Sequence, residues 1–175
     1  MNIWVSSLAS VHFAAKKAQP SKVISLLTPG DEFPEIDGVA NDAHHKIHMH
    51  DIREPKEDHV TPGEDHVKGL INFIDSWSPE TTLLVHCWAG ISRSSATAFI
   101  AACHHNPSTS EDEIARRLRD TSETAYPNTL IVAHADKILG RDSKMVEAIA
   151  ALPKIDFTSF EGDIIAKPFS IPSKF

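Results

Sequence analysis

The segment Leu83-Leu84-Val85-His86-Cys87-Trp88-Ala89-Gly90-Ile91-Ser92-Arg93-Ser94 changes character twice within twelve residues. Leu83 to Val85 is wholly apolar, as expected of a central strand in a parallel sheet buried on both faces. Ser92 to His105 is small and apolar and reads as a helix suited to close packing on that sheet. Between them lies a short loop with a thiol at its start and a guanidinium at its end. A strand that ends at Cys87 and a helix that begins near Arg93 aim the helix's positive end at the sulfur. The intervening N–H groups can turn inward as an anion nest. Gly90 permits backbone conformations that a Cβ would obstruct. Arg93 offers a planar fork that matches two phosphate oxygens. Such a concentration of donors favours the thiolate form of Cys87. A thiolate beside a bound phosphate dianion is a nucleophile poised for phosphoryl transfer.

The rest of the chain supplies the frame for this loop. Asn2 to Leu8 and Lys22 to Leu27 have the apolar, β-branched look of strands, with a helix from Ala9 to Gln19 ended by Pro20 between them. Thr28 to Gly38 is a turn region, Lys46 to His50 a third strand candidate, and Asp51 to Pro62 a polar loop. Gly63 to Trp77 places Val67, Leu70, Ile71 and Ile74 on one helical face. Ser110 to Thr121 opens on Ser-Glu-Asp-Glu, a helix start in which Ser110 caps and Glu113 takes the capping-box position. Leu130 to Leu139 and Ser143 to Leu152 read as two further helices. Alternating strands and helices predict a single α/β domain over residues 1–152, with a central, mostly parallel sheet of about four to five strands flanked by helices. Residues 153–175 hold three of the prolines and four of the eight Phe, and read as an extended C-terminal tail that drapes over the body or pairs with a partner.

His86-Cys87 followed by Gly90 and Arg93-Ser94 resembles the signature of the protein tyrosine phosphatase superfamily, and Ala-Gly-Ile-Ser-Arg-Ser looks most like its dual-specificity branch. The resemblance is most specific over residues 81–100, looser from about 46 to 105, and absent from the tail. It implies a phosphotyrosine phosphatase-like fold and hydrolysis of a phosphomonoester through a phosphocysteine on Cys87, without a cofactor. Backbone N–H groups of Trp88, Ala89, Gly90, Ile91, Ser92 and Arg93 would hold the phosphate oxygens. Arg93 would bind ground and transition states, Ser94 would donate to the departing thiolate, and His86 would orient the loop from behind. A small phosphatase of bacterial type fits this pattern.

Expelling the leaving group needs a positioned acid. In the family it is an Asp on a loop upstream of the signature. Asp51 fits, following the strand that ends at His50 and preceding the helix at Gly63; Asp58 is the alternative acid on the same loop, and Glu54 and Glu57 read as solvated loop carboxylates. Large tyrosine-specific members also carry a downstream glutamine, whereas the only Gln here is Gln19. That favours the dual-specificity branch. Two other readings stay open: a rhodanese-like sulfurtransferase, and a phosphate-binding pseudophosphatase without turnover. An arsenate reductase fits less well, because that type carries its cysteine loop near the N-terminus.

Several signals point away from other functions. The net charge of −7 disfavours general binding to nucleic acid or anionic membrane, without bearing on one small phosphate site. The expected partner is a phosphorylated protein or a small phosphomonoester substrate; the oligomeric state is not legible. No apolar run is long enough to span a bilayer. Met1 to Ser10 lacks a basic segment ahead of its apolar residues, so a cytoplasmic location with reduced thiols is expected. Eleven histidines, among them His44, His48, His50, His59 and His66, show no His-Glu-x-x-His or paired-cysteine spacing, so no metal is expected. Cys103 reads as a core residue, or else as a resolving thiol for Cys87. Trp88 either walls the pocket or packs under the loop.

Overall fold

A computed structural model describes residues 2–159 and 164–175. Five strands form one sheet in the order β3-β2-β4-β1-β5. They are β1 (Asn2–Ser7), β2 (Lys22–Leu27), β3 (His44–His48), β4 (Leu83–Cys87) and β5 (Phe169–Pro172). β1, β2, β3 and β4 run parallel, and β5 is antiparallel to β1. The six helices are α1 (Val11–Ala18), α2 (Glu64–Asp75), α3 (Arg93–His105), α4 (Glu111–Thr121), α5 (Thr129–Leu139) and α6 (Lys144–Ala150).

Strand alternation divides the core between the two faces. Ile3, Val5, Ile24, Leu26, Leu83, Val85 and Cys87 belong to the main cluster, which α2 to α6 help to build. Val23 and Leu84 belong to a smaller cluster with Val11, Ala14 and Ala15 of α1. Two buried faces explain why β4 is apolar without a polar alternate until His86. α3 is buried from Arg93 to Cys103. Its Ser94, Ser95, Ala96, Ala98, Ala101 and Ala102 let the helix backbone approach the sheet closely, which larger side chains would prevent.

Helix ends follow local chemistry. The Ser110 hydroxyl accepts from the Glu113 N–H at 3.3 Å, so the serine of Ser-Glu-Asp-Glu caps α4. Asn128 caps α5 through Leu130 N and Ile131 N. α1 stops at Gln19, which adopts a left-handed φ of 46° just before Pro20.

Two elements differ from the sequence reading. The third strand runs from His44 to His48, two residues earlier than expected. The Met49 N–H still bonds Leu27 O at 2.8 Å, but the His50 N–H turns to Val60 O at 2.9 Å, so the chain leaves the sheet at this point. The second difference lies in 153–175, read as an extended tail beyond a domain ending at 152. Within it, Phe169–Pro172 is the edge strand β5, and the carbonyl of Ser173 together with the N–H of Phe175 is held by Asn106. Phe160 of that tail lies outside the described residues.

Candidate active site

The parallel strands carry their C-terminal ends to one edge of the sheet, where open α/β sheets place ligands. Ser7, Leu26 and Cys87 stand side by side there in register, with β4 between β1 and β2. The loop from Trp88 to Ser92 crosses this edge, and α3 begins at Arg93.

The loop's carbonyls are turned outward and held. Leu8 N donates to Trp88 O at 3.0 Å, Ala166 N to Ala89 O at 2.9 Å, Tyr126 N to Ile91 O at 2.9 Å and Asn128 N to Ser92 O at 3.2 Å. Among the described residues, the N–H groups of Ala89 to Ser92 find no acceptor within the protein. Carbonyls pinned outward leave those N–H groups as a nest. Gly90 has φ +75°, and a Cβ there would lie 2.8 Å from Ser7 N and 2.9 Å from Ser6 C. Only glycine allows this close approach of the loop to β1.

Cys87 is buried at the base of the loop, and its sulfur lies 3.1 Å from Ser94 Oγ. Arg93 is buried as well. Its Nη1 donates to Met49 O at 2.7 Å, with Thr28 Oγ1 at 3.5 Å. The turn out of β3 at Met49 therefore supplies the carbonyl that anchors the guanidinium. Its Nε is buried with no hydrogen-bond partner, 3.9 Å from Asp51 Oδ2. A buried, unpaired N–H on a guanidinium is costly unless something fills it.

Asp51 comes to the same place. Its Oδ1 accepts from Ser92 Oγ at 2.7 Å and from Asn128 Nδ2 at 2.8 Å, and its side chain is 34% exposed. One oxygen is thus fixed by two donors and the other is left facing the Arg93 side. Asp58 is exposed, has φ 58°, and makes no hydrogen bond or ion pair among the described residues. Trp88 is 57% exposed, so it does not pack under the loop. It borders a cavity shared with Leu8, Ala9, Ile164 and Ile165.

Sequence reasoning missed Asn128, Thr28 and Met49. Asn128 follows Pro127 directly ahead of an apolar-periodic stretch, a helix-start signal, but nothing local shows that its amide reaches Asp51. His86 was expected to act from behind the loop. It is fully buried, with Nε2 2.5 Å from Ser25 Oγ. Burial above all, then the neighbouring His44, lowers its pKa to about 4.

Among the other histidines, the rings of His50 and His59 lie 4.5 Å apart, centroid to centroid. His48 bonds Asp31 O, His50 accepts from Val60 N, His59 bonds Glu57 O and His66 accepts from Gly63 N. Cys103 lies in the main core, and burial, reinforced by Glu111, pushes its thiol strongly up. Ser94, against the Cys87 sulfur, and Cys103 are nine residues apart on α3, roughly 13 Å along the axis. A disulfide between the cysteines would require the helix to come apart.

Comparison with solved structures places this architecture. The crystal structure of DUSP15 superposes with a TM-score of 0.62 at 17% identity, covering 87% of this chain and 94% of that one. The chain has the dual-specificity phosphatase fold. Two further structures sharing this phosphatase fold are the PTP-2 phosphatase of Cydia pomonella and a human tyrosine phosphatase-like serine/threonine/tyrosine-interacting protein. The first has a TM-score of 0.59 at 16% identity, covering 78% of this chain and 85% of that one. The second has a TM-score of 0.61 at 15% identity, covering 80% and 92%. No family model matches the sequence, and no curated protein matches it significantly.

Proposed function

We propose that this chain hydrolyses phosphomonoesters through a phosphocysteine on Cys87, as a protein tyrosine or dual-specificity phosphatase. The observation that carries this reading is the buried Arg93 Nε, without a hydrogen-bond partner, beside a thiol and a loop whose N–H groups are free while the carbonyls of Trp88, Ala89, Ile91 and Ser92 are held. That is a set of donors awaiting an anion. Phosphate oxygens would fill the nest from Trp88 to Arg93 and the free edge of the guanidinium.

The Cys87 sulfur attacks phosphorus and the ester P–O bond breaks. The leaving oxygen takes its proton from Asp51 Oδ2, the oxygen not fixed by Ser92 and Asn128. Asp51 then accepts a proton from water as that water attacks the phosphocysteine. The S–P bond breaks, inorganic phosphate departs, and the Ser94 hydroxyl donates to the thiolate left behind. Among the described residues no helix is long and apolar enough to cross a membrane. The proposed setting is the cytoplasm, where the thiol stays reduced.

Cys87→Ser is the deciding test. Turnover of an aryl phosphate should fall by at least about 10³, as for loss of other nucleophiles, while vanadate or phosphate binding by calorimetry persists. Binding without turnover in the unaltered protein would instead make it a phosphate-binding module.

A further inference from the structure

The two ends of the loop that follows Cys87 differ in chemistry. At the Ser92 end the neighbours are polar: Ser92 Oγ donates to Asp51 Oδ1 at 2.7 Å, and Asn128 holds both that carboxylate and the Ser92 carbonyl. At the Trp88 end the neighbours are apolar. Leu8 N donates to Trp88 O, and Ala166 N, from the C-terminal tail, donates to Ala89 O. Beside these two bonds lies a cavity of about 370 Å³ lined by Leu8, Ala9, Trp88, Ile164 and Ile165. None of these side chains is charged, and only the Trp88 indole carries a polar atom.

The fold does not need the tail residues of this wall. Neither Ile164 nor Ile165 belongs to either apolar cluster. Trp88 is 57% exposed and Ile165 47%. Large apolar side chains left in water and gathered around one cavity mark an interaction site. The wall is nonetheless held in place. Ala166 is buried and bonded to the loop, and three residues later the chain enters β5, where Phe169 and Ile171 are buried.

The occupant follows from continuity with the anion nest. Trp88 belongs to both, since its backbone opens the nest and its side chain walls the cavity. The acid draws the leaving oxygen toward the Ser92 end, so the cavity at the other end receives a more distant part of the substrate. An extended peptide advances about 3.3 Å per residue, so side chains one or two positions from the phosphorylated residue span the five residues between Cys87 and Arg93. A charged side chain entering this cavity would lose water and find no partner; an apolar one gains from the burial.

We propose that the cavity between Trp88 and Ile165 is a substrate subsite that takes an apolar side chain within two positions of the phosphorylated residue. The substrate is then a phosphoprotein with an apolar neighbour at its phosphosite, and Ile165 of the tail is a specificity-determining residue. The subsite rests on the phosphatase reading and narrows it.

The test is calorimetric binding of two phosphotyrosine peptides to the full chain carrying Cys87→Ser, with vanadate binding to the unaltered chain as the measure of the nest. One peptide has leucine at the two positions on each side of the phosphotyrosine, and the other has serine there. The leucine peptide should bind about tenfold more tightly, the worth of one partly buried leucine. Ile165→Ala should cut that advantage to about threefold or less, and Ile165→Lys should remove it. The loss should fall on the leucine peptide. Ile165 is half exposed, so both variants should melt near the parent temperature; if either does not fold, the two peptides on the parent chain decide. Equal affinity for the two peptides, or an advantage that survives Ile165→Lys, would overturn the proposal. So would a concentration-dependent dimer in sedimentation velocity that Ile165→Lys dissolves, because the cavity would then belong to a second copy of the chain. Failure of vanadate to bind would instead overturn the phosphatase reading, and the subsite with it.

Discussion

Arg93 shows how one buried side chain can hold a fold and a ligand site together. Nη1 is committed to Met49 O, while Nε, 3.9 Å from Asp51 Oδ2, is left without a hydrogen-bond partner. Lysine in its place has one ammonium for both tasks and no planar fork. Arg93→Lys should therefore lose activity almost as fully as Arg93→Ala, by about 10² or more, the usual cost of removing a preorganised donor to a developing charge. Initial rates on an aryl phosphate measure this, and a Lys variant keeping most of its activity would exclude the bidentate role. Asp51 carries a second residue-level prediction. Asp51→Asn should slow hydrolysis of a phosphotyrosine peptide by about 10² to 10⁴, the range for a lost general acid, because a phenol needs the proton to leave. An activated aryl phosphate, whose leaving group needs no proton, should be slowed far less. Asp58→Asn should show no leaving-group dependence, since Asp58 is exposed and unpaired among the described residues. Comparing the two variants on the two substrates tests the assignment, and exchanged behaviour would move the acid to Asp58.

At the scale of elements, the strand-loop-helix around Cys87 was legible because all its determinants are contiguous. Apolar strand, thiol, glycine, guanidinium and small-residue helix sit within residues 83–105, and the structure keeps them in that order. What supports the loop was not legible, because Leu8, Tyr126, Asn128 and Ala166 reach its carbonyls from distant parts of the chain. β5 escaped for a local reason. Pro168 precedes, and Pro172 ends, a stretch of four residues in which buried Phe169 and Ile171 alternate with Ser170 and Pro172. Proline is tolerated on an edge strand, so the alternation was the better guide. The contact between loop and β1 gives a prediction at this scale. Gly90→Ala puts a Cβ against the Ser7 and Ser6 backbone at a φ of +75°. Backbone cannot yield as a flexible side chain does, so the loop must shift, and vanadate affinity should fall by about tenfold or more for a strain of this kind. Calorimetry measures the affinity, and thermal melting shows whether the fold is kept; unchanged binding would mean that the loop is not held against β1.

The molecule as a whole buries neutral histidine, and this links its stability to pH. His44 and His86 drop from an ordinary 6.5 to about 4 in the folded state, chiefly through burial. His45 and His105 are lowered too, again mainly by burial. In the unfolded chain these rings take up protons near pH 6.5, whereas in the native protein they resist. The unfolded state then binds more protons than the native one between about pH 6.5 and 4. The stabilisation is fully present above the unfolded value and is lost as pH falls through that window. The urea midpoint should be flat from pH 8 to 7 and should decline steadily from about 6.5 to 4, before most carboxylates titrate. Replacing His44, whose Nε2 lies 2.6 Å from Ser25 Oγ, with Gln removes one titrating ring while keeping a polar group beside that hydroxyl. That variant should lose less stability across the window than the wild type, and its plateau above pH 7 should be little changed. An equal decline in both proteins would place the acid sensitivity in other groups. A wild-type midpoint that rises on acidification would show that these rings gain a proton acceptor on folding instead of losing water.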